Sequence, residues 1–88
     1  MFKFLCWHDY KPIEMYYIID QYYDKDIMYD INVFCYEKCP KCGKTRKIKT
    51  NNFEYLDSDS KNKMEQLLIR HGAIHYFEFM RKIIRGEL

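Results

Sequence analysis

Cys39-Pro40-Lys41-Cys42-Gly43 is the segment of this sequence best equipped for chemistry. Two thiolates at this spacing on a tight turn grip one tetrahedral zinc. The glycine after the second tolerates the backbone bend that aims amide N–H groups at the sulfurs. A structural zinc needs two more ligands. Cys6 and His8 can supply them, because residues i and i+2 of a strand point to one face and converge on one ion. The expected ligand set is Cys6, His8, Cys39 and Cys42, which ties an N-terminal strand to the end of a hairpin. His71 and His75 also have a zinc spacing on a helix and stand as alternatives for the fourth ligand. Their 28-residue gap from Cys42 is long for a finger, and Gly72 lies between them. Cys35 reads as a small core hydrophobe. A redox-active Cys-x-x-Cys expects a βαβ context that the pattern lacks.

No phosphate-cradling glycine loop and no nucleophile motif accompany these ligands. A zinc closed by four protein ligands leaves no position for water. The sequence therefore points to a binding protein and not to an enzyme.

The elements that must position the ligands follow from pattern. Residues 1–8 read as a short apolar strand. Residues 13–23 are rich in aromatic and β-branched types, which favour a pleated surface. Asp24-Lys25-Asp26 reads as a turn, and residues 27–38 as the returning strand. On that strand Ile27, Tyr29, Ile31, Val33 and Cys35 form the more apolar face, which is expected to meet the core. Residues 44–50 pair back onto it. Ser58 or Ser60 is the expected N-cap of an amphipathic helix carrying Met64, Leu67, Leu68, His71, Ile74, Phe77, Met80 and Ile84 at spacings of three and four. Gly72 divides it into two short helices if it caps the first. The expected fold is α+β: a three-stranded antiparallel, zinc-ribbon-like sheet followed by a C-terminal amphipathic helix or two short ones. A chain of 88 residues has room for one domain, with a β part over 1–56 and a helical part over 57–88.

Composition narrows the class further. Apolar residues make up 48% and aromatics 18%, too many for a disordered segment. No apolar run approaches the roughly 20 residues of a membrane span. The first residues do not read as a signal peptide, so a cytoplasmic location is expected, where thiols stay reduced and bind metal. Net charge is only +2 but is segregated. Residues 9–30 hold six acids and two bases, whereas residues 38–49 hold six bases and no acid. Such separation creates a local field that the net charge hides.

Phe4-Leu5-Cys6-Trp7-His8-Asp9-Tyr10, a tyrosine-rich hairpin and Cys39-Pro40-Lys41-Cys42-Gly43-Lys44 together resemble the small zinc-ribbon proteins of bacteriophage genomes. Cys6, His8, Tyr10, Cys39, Cys42, Gly43 and Lys44 carry the resemblance, which covers about half of the chain and does not reach the helical tail. It implies a phage-type zinc-binding protein and no particular activity.

Two binding functions follow. The first is capture of a protein partner. Tyr16, Tyr22, Tyr23, Tyr76 and Met80 are the candidate contacts, since exposed tyrosine and methionine favour interfaces. In a phage-like setting the partner is a host enzyme such as nucleic-acid machinery or a defence nuclease. A homodimer through Phe77, Met80 and Ile84 is a related expectation. The second is binding of DNA or RNA through Lys38, Lys41, Lys44, Arg46, Lys47 and Lys49, with Phe34, Tyr36 and Phe53 near enough in sequence to stack on bases.

Overall fold

The computed structural model describes residues 8–88, and of Asp24 the backbone alone. The first seven residues, with the strand expected there and Cys6, lie outside the described residues. The described chain is α+β, with a mixed four-stranded sheet and two helices in the order β1(Lys11–Asp24), β2(Asp26–Lys38), β3(Thr45–Tyr55), α1(Ser58–Arg70), β4(Ile74–His75), α2(Tyr76–Ile84).

β1 and β2 form a long hairpin whose register runs from Lys11↔Lys38 to Asp24↔Asp26, with a bulge at Ile13. The dense tyrosine and isoleucine content of the two strands accounts for its length. Lys25 closes the turn at φ 67°, in the left-handed region. β3 pairs antiparallel with β2 from Lys38↔Thr45 to Tyr29↔Tyr55 and so runs beyond the expected residue 50. A bulge at Thr50 interrupts this ladder, and the Thr50 hydroxyl donates to the Val33 carbonyl at 3.2 Å.

The sheet departs from the expected three antiparallel strands through β4. This two-residue strand pairs parallel with Tyr16 and Tyr17 of β1, giving the order β3-β2-β1-β4. It serves as a crossing point between the helices. α1 ends where the amides of Gly72 and Ala73 bond back to the Ile69 and Leu68 carbonyls, with Gly72 at φ 92°. The chain then passes along the β1 edge and enters α2 on the other face. Asp57, not Ser58 or Ser60, caps α1: its carboxylate accepts the Ser60 amide at 2.8 Å.

The two helices consequently cover opposite faces of one sheet. Leu68 and Met64 of α1 pack with Tyr17, Ile31 and Val33. Phe79, Met80 and Ile83 of α2 pack with Tyr16 and Tyr36. The alternation of β1 sends neighbouring Tyr16 and Tyr17 to opposite faces, where both are buried. Both faces of β2 are therefore covered, although its sequence marks only one as apolar. Tyr17 donates to Glu65 of α1 at 2.7 Å, and burial together with that carboxylate raises its phenol pKa well above normal. Lys82 of α2 reaches Glu14 at 2.9 Å. The helices are also offset. α1 lies toward the hairpin turn, with Lys61 beside Tyr29, and α2 lies toward the opposite end, with Lys82 at Glu14.

Candidate metal centre

The β2–β3 connection folds Cys39 to Lys44 into a compact turn. The Cys39 amide donates to the Lys44 carbonyl and the Gly43 amide to the Cys39 carbonyl, both at 2.8 Å. Gly43 has φ 78°, a conformation that side chains disfavour. The turn leaves Cys39 buried and Cys42 exposed.

His8 meets this turn from the segment leading into β1. Its Nδ1 lies 3.3 Å from the Cys42 sulfur. His8, Cys39 and Cys42 each offer one ligand atom, all within 4.8 Å of one another. A tetrahedral zinc with ordinary bond lengths separates two sulfurs by about 3.8 Å and a sulfur from a nitrogen by about 3.6 Å. The observed spacings fit such a site after shifts of no more than about an ångström.

The electrostatics favour thiolate. Burial pushes the Cys39 thiol upward. The His8 hydrogen bond and the backbone amides of Asp9, Cys42 and Lys41 outweigh it and bring Cys39 down to about 6. A thiolate is the form that binds metal. The three side chains are braced from behind. The His8 ring lies 5.1 Å from that of Tyr10, and the Arg46 guanidinium sits 4.0 Å above Tyr10 while its Nε donates to Glu37 at 2.7 Å. Sequence pattern did not single out this Tyr10–Arg46–Glu37 stack, because its members lie far apart in the chain and carry no shared spacing.

Three of the four expected ligands are thus brought together, and Cys6 lies outside the described residues. The alternatives for the fourth ligand are placed elsewhere. His75 is the N-cap of α2, its Nδ1 accepting the Phe77 amide at 3.1 Å, and His71 caps the end of α1. Neither belongs to the cluster. Cys35 is half-buried on the α1 face, where burial and Glu37 raise its thiol pKa.

The expected partner-binding residues separate by environment. Tyr22 and Tyr23 are exposed at the hairpin end, Tyr23 by 75%. The rungs Tyr22↔Met28, Tyr23↔Ile27 and Asp24↔Asp26 extend beyond the last β3 pairing at Tyr29. Tyr16 does not belong to this surface: it is 2% exposed, sealed between stacked Phe34 and Phe79 rings at 5.2 and 3.9 Å. Tyr76 and Met80 are half-buried against the same cluster. On α2, Phe77 and Ile84 face outward, whereas Met80 turns inward.

Of the basic residues, Lys41, Lys44, Arg46, Lys47 and Lys49 are exposed and Lys38 is half-buried. The aromatic residues expected to stack on bases are otherwise engaged. Tyr36 is buried, Phe34 stacks on Tyr16, and Phe53 packs against the α1 core. Among the described residues no helix is long and apolar enough to cross a membrane. No protein-family model, curated protein or solved structure matches the chain.

Proposed function

We propose that this chain is a small zinc-stapled binding module that engages a protein partner through its hairpin tip. Zinc held by His8, Cys39 and Cys42, with Cys6 as fourth ligand, gives the module a zinc-ribbon-like staple. The zinc supplies folding energy and fixes the N-terminal segment against the β2–β3 turn. With four protein ligands it has no catalytic position, so the module binds and does not catalyse.

The observation that carries the partner reading is the exposure of Tyr23 and Tyr22 on a finger that extends past β3. Aromatic side chains held on a rigid strand pair lose little entropy on binding and bury large area. Asp20 and Asp26 flank them, both exposed. An acidic, aromatic finger complements a basic protein surface. The resemblance to phage zinc ribbons makes a host enzyme that handles nucleic acid the natural candidate, acting in the host cytoplasm.

The test compares affinity capture by the wild-type chain with capture by a Tyr22→Ser/Tyr23→Ser variant, each with zinc content measured by native mass spectrometry. A partner held by the wild type and lost with the variant, at equal zinc content, supports the reading. Equal capture by both chains removes the finger from the interface.

A further inference from the structure

We infer that the end of the molecule opposite the hairpin tip is a second, separate binding site, and that its ligand is the phosphate backbone of a nucleic-acid duplex. The argument starts from which charges are satisfied. At this end Asp9 pairs with Lys11, Glu14 with Lys82, Glu37 with Arg46, and Glu78 and Glu87 with Arg81 and Arg85. Every nearby carboxylate named here already has its cation. Lys38, Lys41, Lys44, Lys47 and Lys49 make no ion pair with any described carboxylate. Their charge is in surplus.

The acidic half of the hairpin does not cancel that surplus. The ladder from Lys11↔Lys38 to Asp24↔Asp26 spans 14 residues of β1. At about 3.4 Å per residue, the acidic turn lies roughly 40 Å from the basic end. The screening length in physiological salt is about 8 Å, so the tip acids are several screening lengths away. The closest unpaired acids along the sheet, Asp30 and Glu54, sit four and five residues from the positions of Phe34 and Lys49. That is at least ~13 Å, still beyond one screening length. A polyanion at this end meets cations, and the low net charge of the chain does not describe what it meets.

Placement also selects the kind of nucleic acid. Lys47 and Lys49 pair with Tyr36 and Phe34, so both project from the α2 face of edge strand β3. Lys41 and Lys44 stand on the metal turn beside them. The nearby rings of Phe34, Tyr36 and Phe53 are held in or against the core and Tyr10 lies under Arg46. Single-strand binders need aromatic platforms on which bases stack. Among the described residues these lysines lack such platforms; lysines of this kind contact phosphates and read no sequence, which suits a duplex.

The experiment measures binding of a 20-base-pair DNA duplex and its RNA counterpart to the zinc-loaded chain across a salt series. Four phosphate contacts give a slope near −3.6 in log affinity against log salt, roughly a 150-fold loss between 50 and 200 mM. Lys47→Gln/Lys49→Gln removes two contacts, so the slope falls by about 2 and affinity at 50 mM drops at least tenfold. Lys63→Gln, an exposed lysine on α1, leaves both unchanged. Absence of duplex binding at 50 mM salt overturns the inference, as does an affinity the double variant does not alter. Preference for single strands overturns the duplex assignment. Binding only to anionic lipid vesicles also overturns it. Lysines on an edge strand also block sheet-to-sheet pairing. If that is their whole role, the double variant aggregates and the wild type binds no duplex.

Discussion

Replacing Cys42 by serine removes one of the proposed zinc ligands and leaves the core intact, which makes it the sharpest test of the metal proposal. Cys39 is fully buried, so its loss would mix metal binding with packing; Cys42 is exposed. The size of the effect follows from mass action. Structural zinc sites bind with apparent free energies of about 10–16 kcal/mol. The weak end of that range corresponds to a Kd of about 50 nM. At about 50 µM free zinc, near a thousand times that Kd, the folded state gains ~4 kcal/mol. In a domain of this size each kcal/mol moves the melting midpoint by roughly 4–8 °C, so zinc raises Tm by about 15–30 °C. Circular dichroism melts with zinc and with a chelator read this directly. Neither core cluster includes His8 or Cys42. The Cys42→Ser chain should therefore melt where the chelated wild type melts and show only a small response to zinc. A wild type indifferent to zinc and chelator would refute the metal reading. So would a variant that responds as fully as the wild type.

Two further expectations test the architecture. Phe79 is completely buried, with the Tyr16 ring stacked at 3.9 Å and the Tyr36 ring edge-on at 5.1 Å. Phe79→Ala should cost about 3–5 kcal/mol in urea unfolding, and a loss under about 1 kcal/mol would mean that α2 is not docked there. Asp20 faces Asp30 across β1 and β2, and Asp30 faces Glu54 across β2 and β3, so three acids share one row. Like charges directly opposite are destabilising, so Asp20→Asn should stabilise the fold by about 0.2–1 kcal/mol at low salt. That gain should shrink in concentrated salt, and an unchanged or lowered stability at low salt would contradict the row.

Much of the local structure was readable before the fold was known, because its signals are local. The Cys39-x-x-Cys42-Gly43 turn, the hairpin reversing at Asp24-Lys25-Asp26 and the break at Gly72 each depend on a few adjacent residues. The Cys39 and Cys42 pair was legible for the same reason, whereas the approach of His8, far away in the sequence, depends on where the chain leads into β1. Other expectations failed where long-range packing decided. Tyr16 reads as a surface tyrosine by count alone, yet α2 covers it. His75 stands by spacing as an alternative fourth ligand, yet its ring nitrogen accepts a helix amide. Phe34 and Tyr36 read as the outer face of β2, because periodicity separates two faces without showing what lies over each.

The sequence by itself determined the long hairpin, the start of β3, the two helical segments divided at Gly72, and which residue types could hold a metal. Those properties come from backbone preference and side-chain alternation, which act within a few residues. Only the tertiary structure decided that the helices take opposite faces, through a two-residue strand at the β1 edge. It also decided that the acids of the hairpin turn and the surplus lysines stand at opposite ends of a long hairpin, while the acids near the lysines are paired with other cations. Neither result is encoded in any local pattern, since each depends on where the chain returns after leaving the sheet. Screening then gives that arrangement its physical meaning: charges several Debye lengths apart act as two independent surfaces.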